Sequence, residues 1–439
     1  MRLDPLSPLS LILAAAAAMT ITAQVPDLAP STQAGRGGWQ ANPEIVKQLS
    51  AKQQEINYDE ARVAPYELPD PLRTAKGGIV RTAAEWTARR TEILELFREH
   101  VYGRSPGAPE RIRFDVLEEN ASAMEKAATL KRIAVVSTQA GREHRFELTL
   151  FLPNPASRSP LRRAGSNGGV PLFLLLNNRP ATNTDPTRRE KSGFWPAEQV
   201  IARGFGIAAL QVSELAPDDK VRFRDGAIKL FEGTSEGSRP ANAWAGLAAW
   251  AWGASRAMDY FVRDPGIDAK RVAVVGHSRG GKAALWAGAE DERFAMVVSN
   301  ESGEGGAALS RRNYGETLAR ITEGFPHWFA PNYTGFAGRE ASLPVDQHML
   351  LALAAPRALY VASADQDLWA DPRGEFLSLA MSSPVFALWR EPPIAADGMP
   401  PLKQPLVAGR RGYHVRDGTH NLTPYDWDRF VDFAASLWP

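Results

Sequence analysis

The sequence predicts an α/β fold, a three-layer sandwich with helices on both faces of a mostly parallel central sheet. Three observations carry this. Apolar segments of strand length alternate with segments of helical periodicity along most of the chain. Residues 170–176 are continuously apolar, the pattern of a strand covered on both faces. Residues 272–282, VAVVGHSRGGK, run an apolar strand straight into Gly276, Ser278 and Gly280 and then into an alanine-rich helical pattern. That is the strand, nucleophile elbow and helix of a serine hydrolase, and it makes the fold class an α/β hydrolase.

The glycines are required because the serine sits on a sharp, strained turn where strand and helix approach closely. A plain strand-to-helix turn is the alternative reading of Ser278. The same spacing recurs at Gly233, Ser235 and Gly237, but no apolar strand precedes it and Gly-Ser-Arg-Pro follows, so it reads as a loop.

The 439 residues carry 51 Lys plus Arg against 50 Asp plus Glu, a formal charge of +1. That balance gives no basis for a nucleic-acid or anionic-membrane partner. Met1-Arg2, an alanine-rich run over 9–19 and a small-residue exit at Ala23 read as a secretory signal peptide, 1–23, with Asp4 and two prolines atypical in its first region. The run is too short to span a bilayer. Export to the periplasm or beyond is therefore expected, as a soluble monomer with no disulfide, since the chain has no cysteine. Residues 24–42, rich in Pro, Gly, Ser and Gln, read as a linker, leaving 43–439 as one catalytic domain with an N-terminal extension.

Within that domain, Trp86, Ile93, Leu94, Phe97 and Val101 have helical spacing over 85–101. Alternation over 112–116, 132–138 and 146–152 predicts the opening antiparallel strands. A Ser/Arg/Gly turn cluster at 157–169 precedes the strand 170–176; a helix near 195–203 leads to a strand at 206–212. Residues 218–239, glycine-rich and charged, read as a long loop over the C-terminal edge of the sheet, where function is often placed. The helix 243–262 carries Trp244, Trp250 and Trp252, read as core packing rather than as a sugar platform. After the elbow come a helix at 281–289, a strand at 294–299, a helix around 346–354 and a strand at 358–363. A short strand at 412–415, the Gly418-Thr419-His420 loop and a helix at 425–437 close the chain.

A serine nucleophile needs a base within hydrogen-bond reach and an acid to orient it. Of seven histidines, His420 best satisfies the order serine, acid, histidine, because it lies in the loop after the last strand. His277, His348 and His414 sit beside the nucleophile, in a helix and in a strand, and read as structural. Two strand ends offer the acid: Glu301, and Asp365 or Asp367. Each alone reads more readily as a turn cap or a solvated charge than as a triad member.

The run GHSRGGKAALWAGAEDERFAMVVSNESGEGGAALSRR, then ITEGFPHWF, DQHMLLALAAPRALYVAS and DLW, resembles the glucuronoyl esterases, especially their bacterial members, from residue 172 to the C-terminus. The most specific marks are the Ser-Arg pair at the elbow, Lys282 one helical turn later and the Glu-Ser-Gly-x-Gly-Gly stretch. The resemblance implies a secreted enzyme hydrolysing esters between the carboxyl of 4-O-methyl-glucuronic acid on xylan and lignin alcohols. It implies Ser278 as nucleophile, His420 as base and Glu301 as acid, with Asp367 sharing or competing for that role. Arg279 resembles the arginine that reaches the oxyanion; Lys282, Glu316 and Trp369 resemble residues around the sugar acid. No metal or organic cofactor is implied.

The chemistry agrees with these roles. A guanidinium beside the nucleophile supplements backbone donors to the oxyanion, and a cation at the first residue of a helix opposes the helix dipole unless it has such a task. Lys282 can donate to sugar hydroxyls, Glu316 can accept, and Trp369 offers a flat apolar face. A solvated Lys, a solvated Glu and a core Trp are the bland alternatives. Other functional readings are an esterase for another carbohydrate ester, such as acetylated xylan, and a non-catalytic carbohydrate-binding scaffold; a serine peptidase is disfavoured because no accessory repeat domain precedes the hydrolase region.

Overall fold

The computed structural model describes residues 38–155, 169–233 and 237–438. The expected signal peptide, most of the linker, most of the 157–169 turn cluster and Ser235 lie outside them. Ten strands form one sheet: β1 (Arg111–Ala123), β2 (Ala128–Gln139), β3 (Arg142–Pro153), β4 (Val170–Asn177), β5 (Gly206–Gln211), β6 (Ile267–His277), β7 (Met296–Asn300), β8 (Ala358–Ala364), β9 (Leu406–Ala408) and β10 (Arg411–Arg416). Their order is β1-β2-β3-β5-β4-β6-β7-β8-β10-β9. The run from β5 through β4, β6, β7 and β8 to β10 is parallel. The opening strands and the last edge pair antiparallel, as 112–116, 132–138 and 146–152 foretell for the former.

Period-two alternation builds the three layers. Leu172, Leu174 and Leu176 of β4, with Val272 and Val274 of β6, join one core. Phe173 and Leu175, with Ala273 and Val275, join the other on the opposite face. The first core is covered by the helices Ala83–His100, Gly246–Phe261 and Arg279–Glu290, the second by Ala197–Ala202 and Pro424–Leu437. Trp86, Ile93, Leu94, Phe97 and Val101 are all buried, as are Trp244, Trp250 and Trp252, so these tryptophans are core. Burying each such side chain stabilises the fold by about 1.5–3 kcal/mol. Thr82 and Glu85 close a capping box at the start of Ala83–His100.

Two expectations are corrected, and one helix is added. The segment 218–239 is not loop throughout: Ala227–Glu232 is helical and buries Ala227, Ile228 and Leu230, a face too short for periodicity to reveal. The strand expected over 206–212 ends at Gln211, because Val212 opens the turn of helix Val212–Leu215. The helix Pro372–Met381, unanticipated, starts from an Asp371 cap followed by Pro372. Among the described residues no helix is long and apolar enough to cross a membrane.

Candidate active site

The elbow forms where β6 meets the helix Arg279–Glu290. Ser278 holds φ 57° and ψ −129°, a strained conformation of the kind that clusters at functional sites. A Cβ on Gly276 would fall 1.9 Å from the Gly280 carbonyl oxygen, so only glycine permits the crossing. The Ser278 N–H donates to the Asn300 carbonyl at 2.9 Å, tying the elbow to β7. Arg279 is the first helical residue, and its N–H has no acceptor within the helix.

Loops at the C-terminal ends of β7, β8 and β10 supply the other groups. Glu301 follows β7 in a left-handed conformation, φ 47°, and is buried. Asp367 follows β8, and His420 arrives after β10. His420 Nδ1 lies 2.6 Å from Asp367 Oδ2 and 3.4 Å from Glu301 Oε2. Both sequence-predicted acids therefore converge on one imidazole nitrogen, the shorter contact belonging to Asp367. Asp365 is set apart: it accepts from the Gly418 N–H at 2.8 Å and clamps the histidine loop.

The electrostatics follow from burial and charge. Burial works against the His420 imidazolium, but hydrogen bonds to Asp367 and Glu301 and their charges outweigh it, raising His420 to about 9. Burial, reinforced by Asp367 and opposed by the His420 hydrogen bond and Arg416, pushes Glu301 up to about 8. His277 is held neutral, well below the ordinary imidazole range, by burial and by His420, whose ring centroid is 4.4 Å away. Its Nδ1 meets Asn300 Oδ1 at 2.6 Å, which agrees with a structural role. His348 and His414 are likewise buried.

Arg279 Nε lies 2.6 Å from Asp218 Oδ2, and its Nη2 donates to the Asn178 carbonyl at 3.3 Å. Lys282 is buried; it donates to the Ser302 carbonyl, with Glu316 Oε2 at 3.9 Å. Burial lowers the Lys282 ammonium and raises the Glu316 carboxyl. The Glu316 N–H donates to the Trp369 carbonyl at 2.9 Å. Lys282 and Glu316 are thus buried and paired rather than solvated, and Glu316 is tied to the Trp369 backbone. Ligand atoms of Glu301, Asp367 and His420 all lie within 4.8 Å of one another, the set among the described residues that could hold a metal ion.

The model of the fungal glucuronyl esterase family matches residues 210–388, which contain the elbow, both acids, Lys282, Glu316 and Trp369. A carbohydrate esterase from an unknown prokaryotic organism is 37% identical over 430 residues, covering 90% of this chain and 94% of that one. The chain belongs to the glucuronoyl esterases. The solved glucuronoyl esterase from Solibacter usitatus is similar to it at 38% identity and a TM-score of 0.78, over 86% of this chain and 100% of that one. A 4-O-methyl-glucuronoyl methylesterase from Cerrena unicolor is 29% identical over 332 residues, 73% of this chain and 60% of its own. This glucuronoyl esterase is accordingly a carboxylic ester hydrolase with the α/β hydrolase fold.

Sequence reasoning passed over several residues that build this glucuronoyl esterase's site. Arg416 donates to Glu301 Oε1 at 2.6 Å and to Asp426 Oδ2 at 2.9 Å. It also holds the Thr419 and Asn421 carbonyls, so one guanidinium shapes the histidine loop around the acid. Arg179 Nη2 approaches His277 Nε2 at 3.2 Å. The N-terminal extension contributes too: Ile56 and Tyr58 share a small core with Tyr314 and Leu368, against which Trp369 packs. The Asn57 carbonyl accepts from the Gly315 N–H at 2.9 Å, beside Glu316. Burial and the nearby Asp367 charge push Tyr58 up to about 12. An arginine closing a buried strand just before the histidine loop was the one legible signal.

Proposed function

We propose that this glucuronoyl esterase cleaves the ester between the carboxyl of (4-O-methyl-)glucuronic acid on glucuronoxylan and lignin alcohols, through a covalent acyl-enzyme. The observation that carries this is a histidine held by two carboxylates beside the Ser278 elbow, its ring centroid 4.4 Å from that of His277, together with the Lys282–Glu316 pair. His420 takes the Ser278 proton as Oγ attacks the ester carbonyl; the oxyanion faces the Arg279 N–H and guanidinium. As the tetrahedral intermediate collapses, the alcohol leaves with the proton from His420. Water, deprotonated by His420, then releases the acid and restores Ser278. Neither a metal nor an organic cofactor enters these steps. The reading includes export, in line with the signal-like 1–23, and the similarity to curated 4-O-methyl-glucuronoyl methylesterases supports the acyl specificity.

The test compares benzyl glucuronate with a matched acetyl ester. Uronate esters are expected to have a kcat/KM at least about tenfold higher, because contacts to the sugar acid carry binding energy into the transition state. Equal or faster turnover of the acetyl ester would move the assignment to an acetyl xylan esterase, and no turnover of either would favour a non-catalytic scaffold.

Arg279→Ala is expected to lower kcat by roughly a hundredfold with a smaller change in KM, as for loss of an oxyanion donor. Arg279→Lys should recover only part of that loss, since an ammonium lacks the planar fork. A rise in KM alone would reassign Arg279 to substrate binding.

A further inference from the structure

The residue that Arg279 touches, Asp218, lies just beyond β5, in a stretch without a catalytic motif. Its Oδ1 accepts from His327 Nε2 at 2.9 Å and from Trp328 Nε1 at 2.6 Å. Its Oδ2 is left to pair with Arg279 Nε at 2.6 Å. The donors are themselves anchored: the His327 and Trp328 carbonyls accept from the Gly246 and Leu247 N–H groups, at 2.9 and 3.2 Å, at the start of a core helix. Asp218 is thus fixed on one oxygen by buried donors and presents the other to the guanidinium.

The guanidinium is consequently held on three sides. Asp218 Oδ2 forms an ion pair on its Nε side at 2.6 Å, without hydrogen-bond alignment, the Asn178 carbonyl accepts from Nη2, and the Trp328 ring faces it with Cζ 5.8 Å from the centroid. Among the described residues only the Asn178 carbonyl accepts a hydrogen bond from the guanidinium, so Nε and Nη1 donate to none. A long arginine side chain at the first position of a helix is pushed outward by the helix dipole and gains rotamer entropy by swinging into solvent. An oxyanion donor works only if its position is set before charge develops.

We propose that Asp218 is the positioning residue of the oxyanion arginine: it fixes the Arg279 guanidinium beside the elbow, leaving one N–H edge for the developing charge. This rests on the oxyanion role proposed for Arg279. Asp218 itself touches no reacting atom. The opposite possibility is that its negative charge merely competes with the oxyanion for the guanidinium, in which case removing it would speed the reaction.

The experiment is a double-mutant cycle of Asp218 and Arg279 in the full chain, with kcat and KM measured separately on benzyl glucuronate. Asp218→Ala is expected to lower kcat about tenfold with KM changed by less than about twofold. In the Arg279→Ala background the same substitution should have almost no further effect, because nothing remains to be positioned. Asp218→Asn, which keeps an acceptor for His327 and Trp328, should retain the wild-type melting temperature and still lose kcat, separating positioning from folding. Unchanged or raised kcat in Asp218→Asn, or an equal loss in both backgrounds, would overturn the proposal. Wild-type kcat in Arg279→Ala would instead overturn the oxyanion role on which it rests.

Discussion

Ser278→Ala is expected to reduce kcat/KM on a uronate ester by at least about a thousandfold, the scale on which members of a nucleophile–base unit fail. Alanine keeps the Cβ and can occupy the same strained elbow at φ 57°, so the melting temperature should stay near that of the parent chain. His420→Ala should lose a comparable amount. Its side chain is 37% exposed, so truncation opens no cavity in either core and the loss reports chemistry. Combining both substitutions should cost little beyond either alone, because a base without a nucleophile has no proton to take. Residual activity above about one hundredth of the parent in either single variant would refute the assignment.

The double variant Glu301→Gln/Asp367→Asn is expected to lose roughly a thousandfold in kcat/KM, because no carboxylate would then fix the imidazole tautomer or stabilise the imidazolium. The single variants should lose less, since each leaves the other acid in place. Asp367→Asn should be the more damaging, as its contact to Nδ1 is 2.6 Å against 3.4 Å for Glu301. Glu301 is also engaged by Arg416 and by the Asn421 N–H. The pH profile gives an independent check. His420 must be neutral to accept the serine proton, and its carboxylate partners raise it to about 9. The acid limb of kcat/KM should therefore lie above the ordinary 6.5 of imidazole, and activity should rise with pH across it. Removing the Asp367 charge should move the limb to lower pH. An unmoved limb in Asp367→Asn would show that its charge does not act on the base.

Local patterns along the chain determine the fold class, the elbow at Ser278, the placement of His420 after the last parallel strand and the tryptophan-bearing core helix. Each is written in neighbouring residues: alternation that divides β4 between two cores, glycines that a strand–helix crossing demands, and a histidine between the last strand and the last helix. The acid stayed open for the complementary reason. Glu301 and Asp367 both lie just past the ends of parallel strands, in turns, so nothing local ranks them. Only the packing of β7, β8 and β10 brings both carboxylates to Nδ1 and places Asp367 nearer. Tertiary structure alone likewise paired Arg279 with Asp218, 61 positions earlier in the chain, and set Arg416 between Glu301 and Asp426. It also laid the N-terminal extension against the Trp369 loop. Charge pairing depends on distance in space, which periodicity along the chain does not record, so the scaffold was legible in sequence and the wiring of its charges was not.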